Sequence, residues 1–204
     1  QYLGVGVTML LFFSVVLTAA FYLWRRPILF AFGASADTIE YADAYIRVYL
    51  IGTVFVELAL GLNSFIICQG QAKTAMLSVL IGAGANILLD PLFIFVLDMG
   101  VRGAATATVI SQGLSVVWIL FFLCSKRSDI RLRAVFLRPD LKIIRGVTSL
   151  GVSPFIMNST ECLVSLVFNR QLQIFGGDLY VGSMTILQSV MLMQNLTVSS
   201  FTGG

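Results

Sequence analysis

Six apolar stretches dominate this chain, each near the ~20 residues an α-helix needs to cross a bilayer, and they decide what it can fold into. They cover roughly residues 3–24, 46–68, 75–97, 104–124, 146–168 and 180–202. Apolar positions far outnumber polar ones within them, and no period-2 alternation is present. The pattern therefore predicts helices rather than barrel strands. Charge is scarce enough to agree: 11% of 204 residues are charged and 58% hydrophobic, against the ~25% charged of an ordinary soluble domain. A soluble fold could not cover its surface with so few charges. The expected fold is all-α, a polytopic membrane helical bundle with lipid as its solvent.

The rest of the composition removes function classes. The sequence contains no His, and its three Cys (Cys68, Cys124, Cys162) have no paired spacing, which argues against zinc or haem. All three lie in apolar stretches and read as small buried residues rather than a disulfide framework. No nucleophile–base pair is evident, so neither an enzyme nor a resident cofactor is expected. The chain begins at Gln1 rather than Met and shows no basic segment with a cleavage site. It reads as a piece of a longer protein.

The charges that remain are placed asymmetrically. Residues 125–145 hold seven basic side chains (Lys126, Arg127, Arg131, Arg133, Arg138, Lys142 and Arg145) opposed by Asp129 and Asp140. The expected role is a solvated loop rather than nucleic-acid binding, and the positive-inside rule places it in the cytoplasm. Counting back through the spans puts 98–103 outside, 69–74 inside and 25–45 outside. That last connection holds a turn-like Phe32-Gly33-Ala34-Ser35 and then a helix start at Ser35 or Asp37, with Glu40 and Asp43 in the early turns.

Ionisable groups inside a span cost ~2.5–3.5 kcal/mol on insertion scales, so each is a functional candidate. Three carboxylates qualify: Glu57, Asp90 and Glu161. Asn86 and Asp90 are four residues apart and share a helix face, which Ser78 and Gly82 extend. The next span offers Ala104, Thr108, Ser111, Gln112 and Ser115 on one face, and a short loop makes the two helices antiparallel neighbours. Asp90 lies ~12 Å of helix from Asp98 and Thr108 ~8 Å from Gly103, depths compatible with one hard-cation or proton site. In a competing reading, Asp90-Pro91 caps the start of a broken helix and Asn86 only joins helices. Glu161 follows Pro154, where a kink is expected, and reads either as a titrating acid or as a structural partner of Arg170. Glu57 shares a face with Thr53 and Gly61 and ranks below the other two. Met184, Met191 and Met193 read as packing or lipid-facing, with an adaptable ligand surface as the alternative.

The run from Gly82 through Asn86, Asp90-Pro91 and Phe95, followed by Met99-Gly100-Val101-Arg102-Gly103-Ala104-Ala105, Ala107-Thr108 and Ser111-Gln112, resembles the multidrug and toxic compound extrusion (MATE) family, bacterial type. Leu29 with Phe32-Gly33-Ala34, Gln69-Gly70, Leu150-Gly151 with Pro154, and Phe175-Gly176-Gly177-Asp178 extend the likeness over nearly the whole chain. The resemblance implies that the six spans are the third through eighth of twelve. Residues 1–124 would complete the N-terminal lobe, 125–145 would link the lobes, and 146–204 would open the C-terminal lobe. The first two and last four helices would lie outside this sequence.

It further implies that Asn86, Asp90 and Thr108 take part in sodium or proton coupling, joined by an Asp from a helix not in this chain. Glu161 falls where one subgroup has a coupling Glu, with Pro154 displaced by one position. The tail from Gln194 lacks the Pro and Gln-Pro expected nearby. The implied function is a monomeric antiporter of the inner (plasma) membrane. It would export amphiphilic or cationic compounds by alternating access against protons or sodium. A lipid-linked oligosaccharide flippase of the same architecture is the alternative, although only Arg170 lies near a span to hold a phosphate.

Overall fold

The computed structural model describes residues 2–125, 128, 130 and 141–202. Most of the basic connection, Lys126, Arg127, Asp129 and 131–140, lies outside the described residues. Helices account for nearly all the rest, and there is no strand among the described residues. The chain forms two compact units, one of residues 1–25 and 43–153 and the other of 26–42 and 154–204.

Several of the helices are bent or interrupted. Helix α1 (Tyr2–Ala31) leaves helical geometry at Trp24 (φ −104°, ψ 18°), three residues before Pro27. Proline lacks the N–H and presses its ring on the carbonyl four residues back, which explains the bend there. Helices α2 (Ile39–Ile51) and α3 (Thr53–Cys68) meet at 54° across Gly52. A Cβ at Gly52 would run into the Val109 side chain, so the joint is glycine because α5 passes against it. Helix α4 (Ala72–Pro91) continues into a π-helical turn, Leu92–Val96, and α5 (Gly100–Cys124) returns alongside it. Helix α6 (Leu141–Thr202) is interrupted at Gly177 (φ 65°, ψ −163°).

The number of membrane passes follows from these breaks. Tyr2–Ala31, Ala72–Val96 and Gly100–Cys124 are each long and apolar enough to cross, as is the bent pair α2–α3. The apolar part of α6, Leu141–Asn195, has 55 residues. That is ~80 Å of helix against a ~30 Å hydrocarbon core, so with its break it makes two passes. The described residues thus hold six passes, in agreement with the sequence. The fold is a polytopic membrane bundle.

Within the first unit, Leu3 and Val7 of α1 pack with Leu58, Leu62 and Ile66 of α3, Ala75 of α4, and Val116, Ile119, Phe122 and Leu123 of α5. Elsewhere the apolar side chains face outward: Ile87 is 71% exposed, Leu88 75% and Phe175 86%. Such a surface is stable in lipid, where association relies on close packing rather than on removing apolar area from water. The α4–α5 contact shows this. Gly82 lies against Ser115, and a Cβ at Gly103 would come within 2.7 Å of the Phe93 carbonyl oxygen.

Several local expectations meet the structure here. Gly33 takes the left-handed φ of 96° in the expected turn. Ser35 starts the next helix through reciprocal bonds with Thr38, N–H to Oγ1 at 2.9 Å and Oγ from the Thr38 N–H at 3.2 Å. Gln69 joins two connections: its Oε1 accepts from Ser128 Oγ (3.0 Å) and the Ile130 N–H (3.2 Å), beside Gly70 with φ 73°. One expectation is corrected. Cys68, Cys124 and Cys162 are exposed rather than buried, because a small apolar thiol needs no protein interior when the solvent is hydrocarbon. Around Pro154 the dihedrals stay helical, and α6 leaves helical geometry at Gly177.

Candidate functional site

The polar residues of α4 and α5 converge as their spacing predicts. Asn86 Nδ2 donates to Asp90 Oδ1 at 3.2 Å along one face of α4. The helix runs on through Pro91 (φ −60°, ψ −38°) into the π turn. Asp90 is therefore not the cap of a broken helix, and the competing reading of Asp90-Pro91 is set aside. The π turn follows because Pro91 has no N–H to continue the regular ladder, and such turns recur at functional positions.

A cavity of about 280 Å³ opens between α3, α4 and α5. Ser78, Gly82 and Asn86 line it from α4, and Thr108, Ser111, Gln112 and Ser115 from α5. Its polar wall is held internally: Ser115 Oγ donates to Ser78 O (2.8 Å), and Ser78 Oγ to Ala75 O (2.7 Å). Thr108 Oγ1 donates to Ala104 O at 3.0 Å, which leaves its lone pairs available. The Ser111 hydroxyl is buried without a hydrogen-bond partner among the described residues.

One further member comes from outside the predicted set. Asn63 of α3 lines the same cavity and accepts from Ser78 Oγ at 3.2 Å. A lone Asn in an apolar span was the available signal.

The other two carboxylates lie apart. Glu57 is half-buried on α3 and is not in the cavity wall. Glu161 is exposed in the second unit. It lines a groove of about 410 Å³ with Thr160, Val164, Ser165 and Phe168 from one arm of α6, and Met184 and Gln188 from the other. The described residues contain no cluster of three or more His, Cys, Asp or Glu able to hold a metal ion. The donors near Asp90 are one carboxylate with amide and hydroxyl oxygens, a set that suits a hard monovalent cation or a proton rather than a transition metal.

Comparison with known proteins bears on the family. The MatE family profile matches residues 1–92. The multidrug export protein MepA of Staphylococcus haemolyticus is 28% identical over 143 residues, which are 70% of this chain and 32% of that protein. The MATE multidrug transporter DinF-BH, solved in complex with R6G, superimposes with a TM-score of 0.85 at 35% identity, covering 91% of this chain and 42% of that one. This chain is similar to the MATE family, by the profile over residues 1–92 and by transporter relatives over most of its length. An inward-facing MATE transporter of the MOP superfamily shares the fold with a TM-score of 0.83 at 24% identity, over 94% of this chain and 49% of its own. The chain spans about a third of the length of the curated MATE relatives it matches. MATE proteins are a family of transporters rather than of enzymes, and the multi-pass bundle described above is the MATE architecture.

Proposed function

We propose that this chain forms part of a cation-coupled antiporter that exports amphiphilic or cationic compounds across the plasma membrane by alternating access. The observation carrying the proposal is the pairing of Asn86 with Asp90 on α4, with Asn86 and Thr108 of α5 lining one polar cavity inside a membrane bundle. A carboxylate at this depth is costly unless neutralised, and a sodium ion or a proton on Asp90 would neutralise it. Bringing Asp90 and Thr108 together across the α4–α5 interface would alter how those helices pack. A cation that binds the outward state more tightly than the inward state then shifts the equilibrium between them.

The cavity below the cluster, with amide and hydroxyl groups beside Leu60, Val79 and Ile119, fits an amphiphilic guest. MepA and DinF-BH carry the designation multidrug, which supports the same substrate class. On this reading residues 1–124 and 146–204 belong to two lobes joined by 125–145, the transporter works as a monomer, and Glu161 and Glu57 are secondary coupling candidates. The paucity of cationic side chains in the cavity wall disfavours a lipid-linked phosphate as cargo. The test is Asp90→Asn in the full-length transporter. Loss of cation-driven efflux with substrate binding retained is expected, whereas wild-type coupling in this variant refutes the assignment.

A further inference from the structure

Hydroxyl groups on these helices are commonly spent on their own backbone. Thr8, Thr106 and Thr108 each donate to the carbonyl one turn back, at Gly4, Arg102 and Ala104. Ser111 departs from that habit. Its side chain is 2% exposed and its hydroxyl has no partner among the described residues, yet Ser111 lies in the wall of the cavity between α3, α4 and α5. A polar atom buried without a partner is costly, and one that lines a cavity can be satisfied by what enters it.

The surrounding wall defines what that guest must offer. Thr108 and Ser115 lie one turn to either side of Ser111 along α5. The Thr108 proton goes to Ala104 O (3.0 Å), the Ser115 proton to Ser78 O (2.8 Å) and the Ser78 proton to Ala75 O (2.7 Å). These hydroxyls therefore present lone pairs to a ligand. No Lys or Arg lines the cavity, whereas the Asp90 carboxylate adjoins it through Asn86. An anionic head group would enter uncompensated, and a cation bearing N–H bonds would find acceptors. Burial is graded in the same sense. Ser78, Ser111 and Ser115 are buried, and Gly82 lies directly against Ser115, while Leu60 and Val79 of the same wall are exposed. A polar floor with an apolar rim suits a small polar head carrying a hydrocarbon tail.

We propose that Ser111 is a specificity-determining residue for cargo: its hydroxyl accepts a hydrogen bond from an ammonium group with N–H bonds, so the cavity takes amines in preference to quaternary ammonium compounds. This rests on reading the cavity as a cargo site of an exporter, and names the head group that the site selects. A site built to bond an N–H rejects the analogue lacking it, because its own polar groups are then left unpaired.

The test is equilibrium binding of hexylammonium and hexyltrimethylammonium to the purified full-length transporter at neutral pH. The two share a chain and a charge and differ in N–H bonds. Hexylammonium should bind about tenfold more tightly, the worth of one hydrogen bond to a charged group. Ser111→Ala should cost hexylammonium about that factor and hexyltrimethylammonium little. Its apparent Tm should hold or rise, since the hydroxyl removed bonds nothing in the protein. Equal affinity of the two compounds for the wild type, or no saturable binding of either, overturns the inference. So does unchanged selectivity in Ser111→Ala, or an equal loss of both compounds with a lowered Tm, which makes the hydroxyl structural. Saturable sodium binding that vanishes in Ser111→Ala while hexylammonium is unaffected assigns the hydroxyl to the coupling ion and overturns it too. Dye efflux indifferent to ion gradients in the same preparation is a separate failure: it removes the antiporter reading and leaves the binding comparison standing.

Discussion

At the scale of single residues, what matters most is the size of what lies opposite. Gly103 sits where a Cβ would come within 2.7 Å of the Phe93 carbonyl oxygen and 2.8 Å of its carbon, both backbone atoms that cannot rotate away. Gly103→Ala should therefore destabilise the α4–α5 pair by about 1–3 kcal/mol, the usual cost of overpacking. A lowered apparent Tm of the full-length protein in detergent checks this. Asn86, Asp90, Thr108, Ser111 and Gln112 were legible in the sequence because helical spacing and one short loop suffice to bring two faces together. The thiols misled because apolar neighbours in sequence say nothing about which side of a helix meets lipid.

Among the elements, breaks in the helices position the chemistry. Pro27 accounts for the bend of α1 at Trp24, Gly52 for the 54° angle of α2 to α3, and Pro91 for the π turn after Asp90. Gly177 is the most demanding. Its φ of 65° with ψ of −163° lies in a region that only glycine occupies readily. The neighbouring Asp178 accepts Ser35 Oγ at 2.8 Å and Gln173 Nε2 at 2.9 Å, so the bend is tied down on the second unit. Gly177→Ala should cost about 1–3 kcal/mol of strain, seen as a thermal shift with the far-UV helix signal retained at low temperature. Prolines and paired glycines announce such breaks in sequence, but their angles come from packing.

For the whole molecule, the apolar runs and the basic connection together define a path through the membrane. The charge asymmetry predicts that residue 37 faces outward and residue 142 the cytoplasm. With Cys68, Cys124 and Cys162 replaced, a membrane-impermeant maleimide should label Asp37→Cys in intact cells, and Lys142→Cys only after permeabilisation. The reverse pattern would invert every assignment of inside and outside made above. Composition and run length made the six passes legible. The grouping of residues 26–42 with 154–204 was not, because it joins segments far apart in the chain.

The central claim is that an ion gradient, acting at Asp90 and its neighbours, drives export. Dye efflux from vesicles holding the full-length transporter, under separately imposed sodium and proton gradients, tests it most directly. Efflux should accelerate under at least one of the two gradients and fall to the protein-free rate in Asp90→Asn. Efflux indifferent to both gradients, or equally driven in Asp90→Asn, would contradict the account.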